Sequence, residues 1–263
     1  MPASPSDPRP ARTRIRERVL AGEVTFGAFA GLGSPLAAEL LGRAGFDWLI
    51  IDLEHGLGTE ADLLALLYAT EATPASAIVR VEEGTRLRVG RALDFGAEGL
   101  MIPRLETTDE VRRTAGWLRW PPDGTRGLAA ITRGAGLGEV PHAEIRQLNA
   151  RTLGVFQVES PVAVANAPEL AAIDGVDVLF VGPADLSHSM GIPGEFTNPA
   201  FVEALAAVAD AARSAGKAAG ILLRTADEVR PHLELGYTFL GVGSDQSFII
   251  GGARAILAEA RRA

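Results

Sequence analysis

Eight short apolar runs, most of them followed by a stretch of helical periodicity, constrain this 263-residue chain more than any other feature. They fall at residues 25–31, 46–52, 76–81, 99–104, 152–159, 176–182, 218–223 and 237–243. Each is mostly continuous in its apolarity rather than alternating. Strands of that kind are buried on both faces, which is the mark of a parallel sheet covered by helices. Between them lie amphipathic patterns with start and stop signals. Residues 59–70 open on a threonine cap, residues 198–216 open on Asn198-Pro199 and close on glycine, and residues 225–236 also end on glycine. Eight βα units in about 250 residues predict a (β/α)8 barrel. The rival, a doubly wound open sheet, usually carries a Gly-x-Gly-x-x-Gly turn after its first strand. Here that turn reads "GLGSP" (31–35), which does not fit.

The barrel reading fixes where chemistry is expected. Active sites of this fold lie at the C-terminal ends of the strands. The second run, "FDWLIIDLEHG", ends in Asp52, Glu54 and His55; the third ends in Arg80 and the fourth near Arg104. The fifth ends in Gln157 and Glu159, which share one face by period-two alternation. The sixth runs into "GPADLS", which supplies Asp185. Glu159 and Asp185 belong to neighbouring strands, and two carboxylates at a barrel mouth suit a hard divalent cation such as Mg2+ or Mn2+. The competing reading is a pair of salt-bridging carboxylates. His55 is the natural general base, since imidazole titrates near neutrality. Asp52, three residues before it, is expected to accept its other ring N–H. Arg80 offers a permanent positive charge for a developing enolate oxygen, or else a structural partner for Glu54 or Glu82.

Composition excludes several alternatives. There is no cysteine, which rules out disulfides, thiolate metal sites and cysteine nucleophiles. A net charge of −8 argues against nucleic-acid binding. No apolar run reaches the roughly 20 residues of a membrane helix. The opening "MPASPSDPRPARTR" has no apolar core of a secretory signal. Residues 1–13 are expected to form a disordered tail, residues 14–263 a single domain, and the protein to be cytoplasmic. A glycine-rich stretch at 120–140, containing Arg126 and Arg133, is long for a connection and reads as an active-site lid or acceptor-binding loop. His188, just beyond the "GPADLS" segment, reads as an exposed loop histidine. "GVGSD" (241–245) reads equally as a phosphate-holding nest or a tight strand-to-helix turn.

The segments "IDLEHG", "IVRV", "PPDGTRG", "QVES" and "VGPADLS", in this order and spacing, resemble the HpcH/HpaI family of class II pyruvate aldolases. The likeness spans about residues 20–260. It implies a (β/α)8 barrel of the phosphoenolpyruvate/pyruvate type, assembled as a homohexamer, a trimer of dimers, with the C-terminal helix exchanged between subunits. It implies Glu159 and Asp185 as ligands of Mg2+, Mn2+ or Co2+, with no organic cofactor. His55, paired with Asp52, becomes the acid/base group, acting directly or through a metal-bound water, and Arg80 the enolate-stabilising arginine. Gln157 would lie beside the metal, and the backbone of Gly182, Pro183, Ala184 and Asp185 would hold the substrate carboxylate. The implied reaction is reversible cleavage of a 4-hydroxy-2-oxo acid to pyruvate, or a related 2-oxo acid such as hydroxypyruvate, and an aldehyde. No Schiff-base lysine is needed, and Lys217, the only lysine, precedes a strand. Oxaloacetate decarboxylation and a citrate-lyase β-like acyl-CoA cleavage use related machinery. His55 stands where the acyl-CoA branch tends to have aspartate, which favours free 2-oxo acids. A metal-binding sensor or scaffold barrel is the non-enzymatic alternative.

Overall fold

The computed structural model describes residues 14–262; the expected 1–13 tail lies outside them. Eight strands form a closed parallel barrel: β1 (Thr25–Ala30), β2 (Trp48–Asp52), β3 (Ser76–Arg80), β4 (Gly99–Ile102), β5 (Leu153–Val158), β6 (Val178–Val181), β7 (Ala218–Leu222) and β8 (Tyr237–Ser244). Each pairs with the next, and β8 returns to β1. All eight expected strands are present, and those from β2 to β7 are one to three residues shorter than their apolar runs.

Two apolar layers explain the pattern. Inside the barrel, Phe29, Trp48, Ile50, Ile78, Met101, Val155, Val178, Phe180 and Phe239 form one cluster. The alternate residues of the same strands, among them Leu49, Ile51, Val79, Leu100, Phe156 and Leu179, pack outward against the helices. Both faces are thus dry, which is why the runs do not alternate with polar residues. Trp48 stacks on Phe239 at 4.0 Å between ring centroids. Gly27 makes room for it, since a Cβ there would sit 2.0 Å from the indole.

The surrounding helices are α1 (Ile15–Leu20), α2 (Pro35–Arg43), α3 (Glu60–Glu71), α4 (Arg86–Asp94), α5 (Thr108–Gly116), α6 (Pro161–Ala165), α7 (Ala167–Ala171), α8 (Pro183–Ser189), α9 (Pro199–Ser214), α10 (Val229–Leu235) and α11 (Asp245–Ala260). Thr59 opens α3 and Asn198 opens α9, as expected. Thr107 and Glu110 form a reciprocal capping box at α5, and Asn198 accepts from the Ala200 amide beside Pro199 at α9. Helix α1 seals the N-terminal end of the barrel: Ile15 and Val19 join the interior cluster and are 2% exposed. Burying each contributes about 2 kcal/mol. "GVGSD" is a strand-to-helix turn in which Ser244 caps α11 and Asp245 accepts from the Gly31 and Leu32 amides.

The lid expectation is corrected by topology. The segment 117–152 connects a helix, α5, to a strand, β5, so it lies at the N-terminal end of the barrel, opposite the mouth where the strands end. It folds into short 3₁₀ turns around its own small core of Trp120, Ala135, Ile145 and Leu148. Arg126 is 5% exposed, hydrogen-bonded to Asp94 and stacked over Trp120. Arg133 bonds Glu71 and the Phe95 carbonyl. Within the chain, neither arginine faces the mouth. Among the described residues, no helix is long and apolar enough to cross a membrane.

Candidate active site

The β2–β3 register places Asp52 directly beside Arg80 as paired residues at the strand ends. The pair is bidentate: Arg80 Nε donates to Asp52 Oδ1 at 2.9 Å and Nη2 to Oδ2 at 2.7 Å. Asp52 is 6% and Arg80 9% exposed. Asp52 Oδ1 also accepts from the backbone amides of Glu54 and His55, both at 3.1 Å. Burial pulls this carboxyl up, but Arg80 and the two amides outweigh it, and it titrates below its usual range. Asp52 therefore orients the turn that carries His55 through the backbone. It is not the partner of the imidazole ring, contrary to the expectation from spacing: its oxygens are already committed. The nearest carboxylate to the ring is Glu54, with Oε2 3.7 Å from His55 Nε2. The His55 side chain is 58% exposed, open to the barrel mouth.

Glu54 is more central than its sequence position suggests. Its Oε2 also lies 3.3 Å from Arg80 Nη1, yet that oxygen is buried without a hydrogen bond. Burial pushes Glu54 above the ordinary carboxylate range, against the pull of Arg80 and His55. Arg80, with its guanidinium also 5.1 Å over the Phe29 ring, is thus held on three sides.

Across the mouth, Glu159 stands just past the end of β5. Its Oε1 accepts from Gln157 Nε2 at 2.6 Å and its Oε2 from the Arg104 amide at 3.3 Å. Burial first, then the negative charges of Asp185 and Glu54, push Glu159 up to about 7. The cradle is built around a missing side chain: a Cβ at Gly182 would lie 2.6 Å from Glu159 Oε1. Gln157 is 3% exposed, and its Oε1 is buried with no hydrogen-bond partner. A carboxylate pushed above its ordinary range, an orphaned amide oxygen and a second carboxylate, Asp185 in the exposed first turn of α8, form an all-oxygen set with surplus negative charge. Those properties fit a hard divalent cation and not a soft one. Among the described residues, no group of three or more His, Cys, Asp or Glu side chains is spaced to hold a metal, so protein ligation would rest on two carboxylates.

The "GPAD" turn offers fewer free amides than its four residues suggest. Pro183 has no N–H, and the Gly182 amide already donates to the Val158 carbonyl. The Ala184 and Asp185 amides remain, in the first turn of α8, where no intrahelical carbonyl reaches them. His188 lies exposed in the last turn of α8.

Sequence reasoning missed the contribution of Arg104. Its backbone is left-handed, with φ 56°, one of two such non-glycine residues among those described. For arginine this costs roughly 1–2 kcal/mol, and such strain collects at functional sites. It is what turns the Arg104 amide toward Glu159. The sequence signal was faint: an arginine after proline at a strand end.

Comparison with known proteins agrees with the geometry. Residues 25–251 match the model of the family described as HpcH/HpaI aldolase/citrate lyase. The chain is 38% identical over 248 residues to the 4-hydroxy-2-oxo-heptane-1,7-dioate aldolase of Klebsiella pneumoniae, covering 93% of this chain and 92% of that one. It is 36% identical over 240 residues to the hydroxypyruvate/pyruvate aldolase of Delftia acidovorans, covering 91% and 89%. A crystal structure of an HpcH/HpaI aldolase/citrate lyase family protein from Burkholderia cenocepacia superposes with a TM-score of 0.89 at 38% identity, covering 94% of this chain and 98% of that one. The HpcH/HpaI aldolase from Desulfitobacterium hafniense also gives 0.89, at 27% identity, with 95% and 97% covered. A closed eight-stranded barrel with its charged strand ends gathered at one mouth, matched over nearly its whole length, makes this chain a member of the HpcH/HpaI aldolase/citrate lyase family.

Proposed function

We propose that this aldolase reversibly cleaves a 4-hydroxy-2-oxo acid into pyruvate, or a related 2-oxo acid such as hydroxypyruvate, and an aldehyde. The observation that carries the reading is Glu159, a half-buried carboxylate among other negative groups, held by Gln157 and facing Arg80 across the same mouth. Glu159 and Asp185 would hold Mg2+ or Mn2+, which supplies Lewis acidity at the carboxylate and keto oxygens of the 2-oxo acid.

The chain's own residues have separable tasks. The Ala184 and Asp185 amides are placed to receive the substrate carboxylate. Gln157 steadies Glu159 through its amide nitrogen. Arg80, locked by Asp52, presents a fixed positive charge where negative charge develops on the enolate oxygen. Because Asp52 holds it in advance, little reorganisation is needed during reaction. His55 is exposed at the mouth. In cleavage it takes the proton from the 4-hydroxyl, and the enolate carbon is then protonated to give pyruvate; in addition it removes a methyl proton, and the new 4-alkoxide receives one. Glu54 lies between Arg80 and His55, with Oε2 3.3 Å from Arg80 Nη1 and 3.7 Å from His55 Nε2. The names of the two aldolases to which the chain is 36–38% identical favour aldol chemistry over decarboxylation or acyl-CoA cleavage.

The test is exchange of the pyruvate methyl protons in D2O, followed by NMR with Mg2+ or Mn2+ and then with a chelator. Loss of the methyl signal that stops on chelation is expected. Its absence with every divalent metal tried would refute the reading.

A homo-oligomer, in which α11 is exchanged between subunits of a hexamer, belongs to the same proposal. Its support is that every residue from 247 to 260 is exposed, including Phe248, Ile249, Ile250, Ile256 and Leu257. An apolar helix in water is expected to find a partner. Sedimentation equilibrium checks it: Ile249→Asp together with Ile256→Asp should shift the mass toward the monomer.

A further inference from the structure

We propose that Arg104 selects the acceptor, binding a negatively charged group carried by the aldehyde away from its reacting carbonyl. The inference rests on the aldolase reading of the site and concerns the half of the substrate which that reading leaves open.

Three arginines stand at or just beyond strand ends around the mouth, and their partners differ. Arg80, with its side chain 11% exposed, is committed to Asp52 and Glu54. Arg224, just past β7, is bonded to Glu228 and stacked over Phe196 at 4.0 Å. Arg104, just past β4, has a side chain 72% exposed, and its ion-pair contact is with Glu54 Oε1 at 3.9 Å, too long for a hydrogen bond. Glu54 does not depend on it, since Arg80 lies closer at 3.3 Å. The guanidinium of Arg104 therefore keeps its donors available to a ligand.

Its attachment is rigid where its tip is free. The left-handed backbone and the amide bond to Glu159 fix the Cα at the edge of the carboxylate cradle. The side chain leaves from that fixed point past Glu54, the carboxylate beside His55. An acceptor must approach the enolate carbon between these groups. An anionic acceptor entering there meets Glu54, Glu159 and Asp185, and it needs a cation to offset them. Arg104 is placed to be that cation, whereas an uncharged aldehyde gains little from it. A guanidinium also matches a carboxylate in a two-point contact, which a loosely placed ammonium does not.

The experiment measures kcat/KM for aldol addition of pyruvate to paired acceptors: glyoxylate, malonic semialdehyde and succinic semialdehyde against glycolaldehyde, 3-hydroxypropanal and 4-hydroxybutanal. The wild type, Arg104→Gly and Arg104→Lys are compared. Glycine keeps both the amide and the left-handed backbone, so the ratio of charged to neutral acceptor within each variant isolates the side chain. The ratio is expected to fall about tenfold or more in Arg104→Gly, the loss of a charge-assisted bond, and to recover in part in Arg104→Lys. A ratio within about twofold of wild type for every pair in Arg104→Gly would overturn the assignment, even with pyruvate proton exchange intact. Failure of the wild type to exchange pyruvate protons would instead remove the aldolase reading and this proposal with it.

Discussion

The two ends of the barrel treat the same chemical group in opposite ways. At the N-terminal end, Asp177 is fully buried yet satisfied, accepting two bonds of 2.9 Å from Arg16 and one of 3.0 Å from the Gly154 amide. Nearby, Asp123 binds Arg146 bidentately and Asn149, and these partners hold it well down, at about 2. At the C-terminal end, Glu159 is surrounded by like charge and pushed up to about 7. Glu54 and Gln157 each carry a buried oxygen with no hydrogen bond. The contrast is one of carboxylates. Asp177 and Asp123 are paired, although the Arg119 and Arg126 guanidinium groups at that end keep buried nitrogens without a hydrogen bond. Glu159 and Glu54, unlike the fully bonded Asp52, are left short of partners that a ligand can supply.

Substitutions can break this contrast from either end. The largest effect is expected from Arg80→Ala, which belongs to both categories. It should lower kcat for cleavage about 10²–10³-fold. It should also cost on the order of 3 kcal/mol of stability in denaturant unfolding, because Asp52 loses its buried partner. Asp177→Ala should cost a similar ~3 kcal/mol, by stranding Arg16. Pyruvate exchange per folded molecule should be unaffected, which separates the two ends.

Glu159→Gln should do the reverse. Mn2+ affinity, followed by calorimetry, should fall by more than about 100-fold. The melting temperature of the metal-free protein at neutral pH should not fall, and it should rise if the crowding of negative charge is as unfavourable as the shift implies. The pH dependence gives the matching sign. Glu159 binds its proton more tightly folded, at about 7, than at its ordinary value of 4.5. Stability of the metal-free protein should therefore decline as pH rises from 4.5 to 7, by at most about 3 kcal/mol, and level off above. Thermal melts of Glu159→Gln across that window should lack the decline. The smallest effect belongs to Asp123. Its depressed value adds stability above pH 3.8 that is lost as pH falls toward 2. Asp123→Asn should shift only the acid-unfolding midpoint.

Much of this was legible in the sequence, for a physical reason. Strands such as 46–52 and 176–182 announce themselves because both faces are dry, and barrel topology then sends every strand end to one mouth. That is how Asp52, Arg80, Glu159 and Asp185 could be placed together from their order alone. What failed depended on information that periodicity does not hold. The lid reading weighed loop length and overlooked that a helix-to-strand connection must lie at the opposite end. The Asp52–His55 ring pair followed from spacing, but competition from Arg80, 28 residues away and adjacent in register, decides where that carboxylate points. The left-handed backbone of Arg104 has no residue-type signal, since arginine has no preference for it.

The bare Cα at Gly182 has a consequence for how the protein can diversify. With no atom where a methyl group would press on Glu159 Oε1 at 2.6 Å, the width of the cradle is set by a hydrogen. At the rim of the mouth, where side chains such as Arg104 and His55 are exposed, a substitution meets open space. The same freedom is closed at position 182. Even the methyl group of alanine would press on the Glu159 carboxylate, so position 182 has less room for change than the exposed rim.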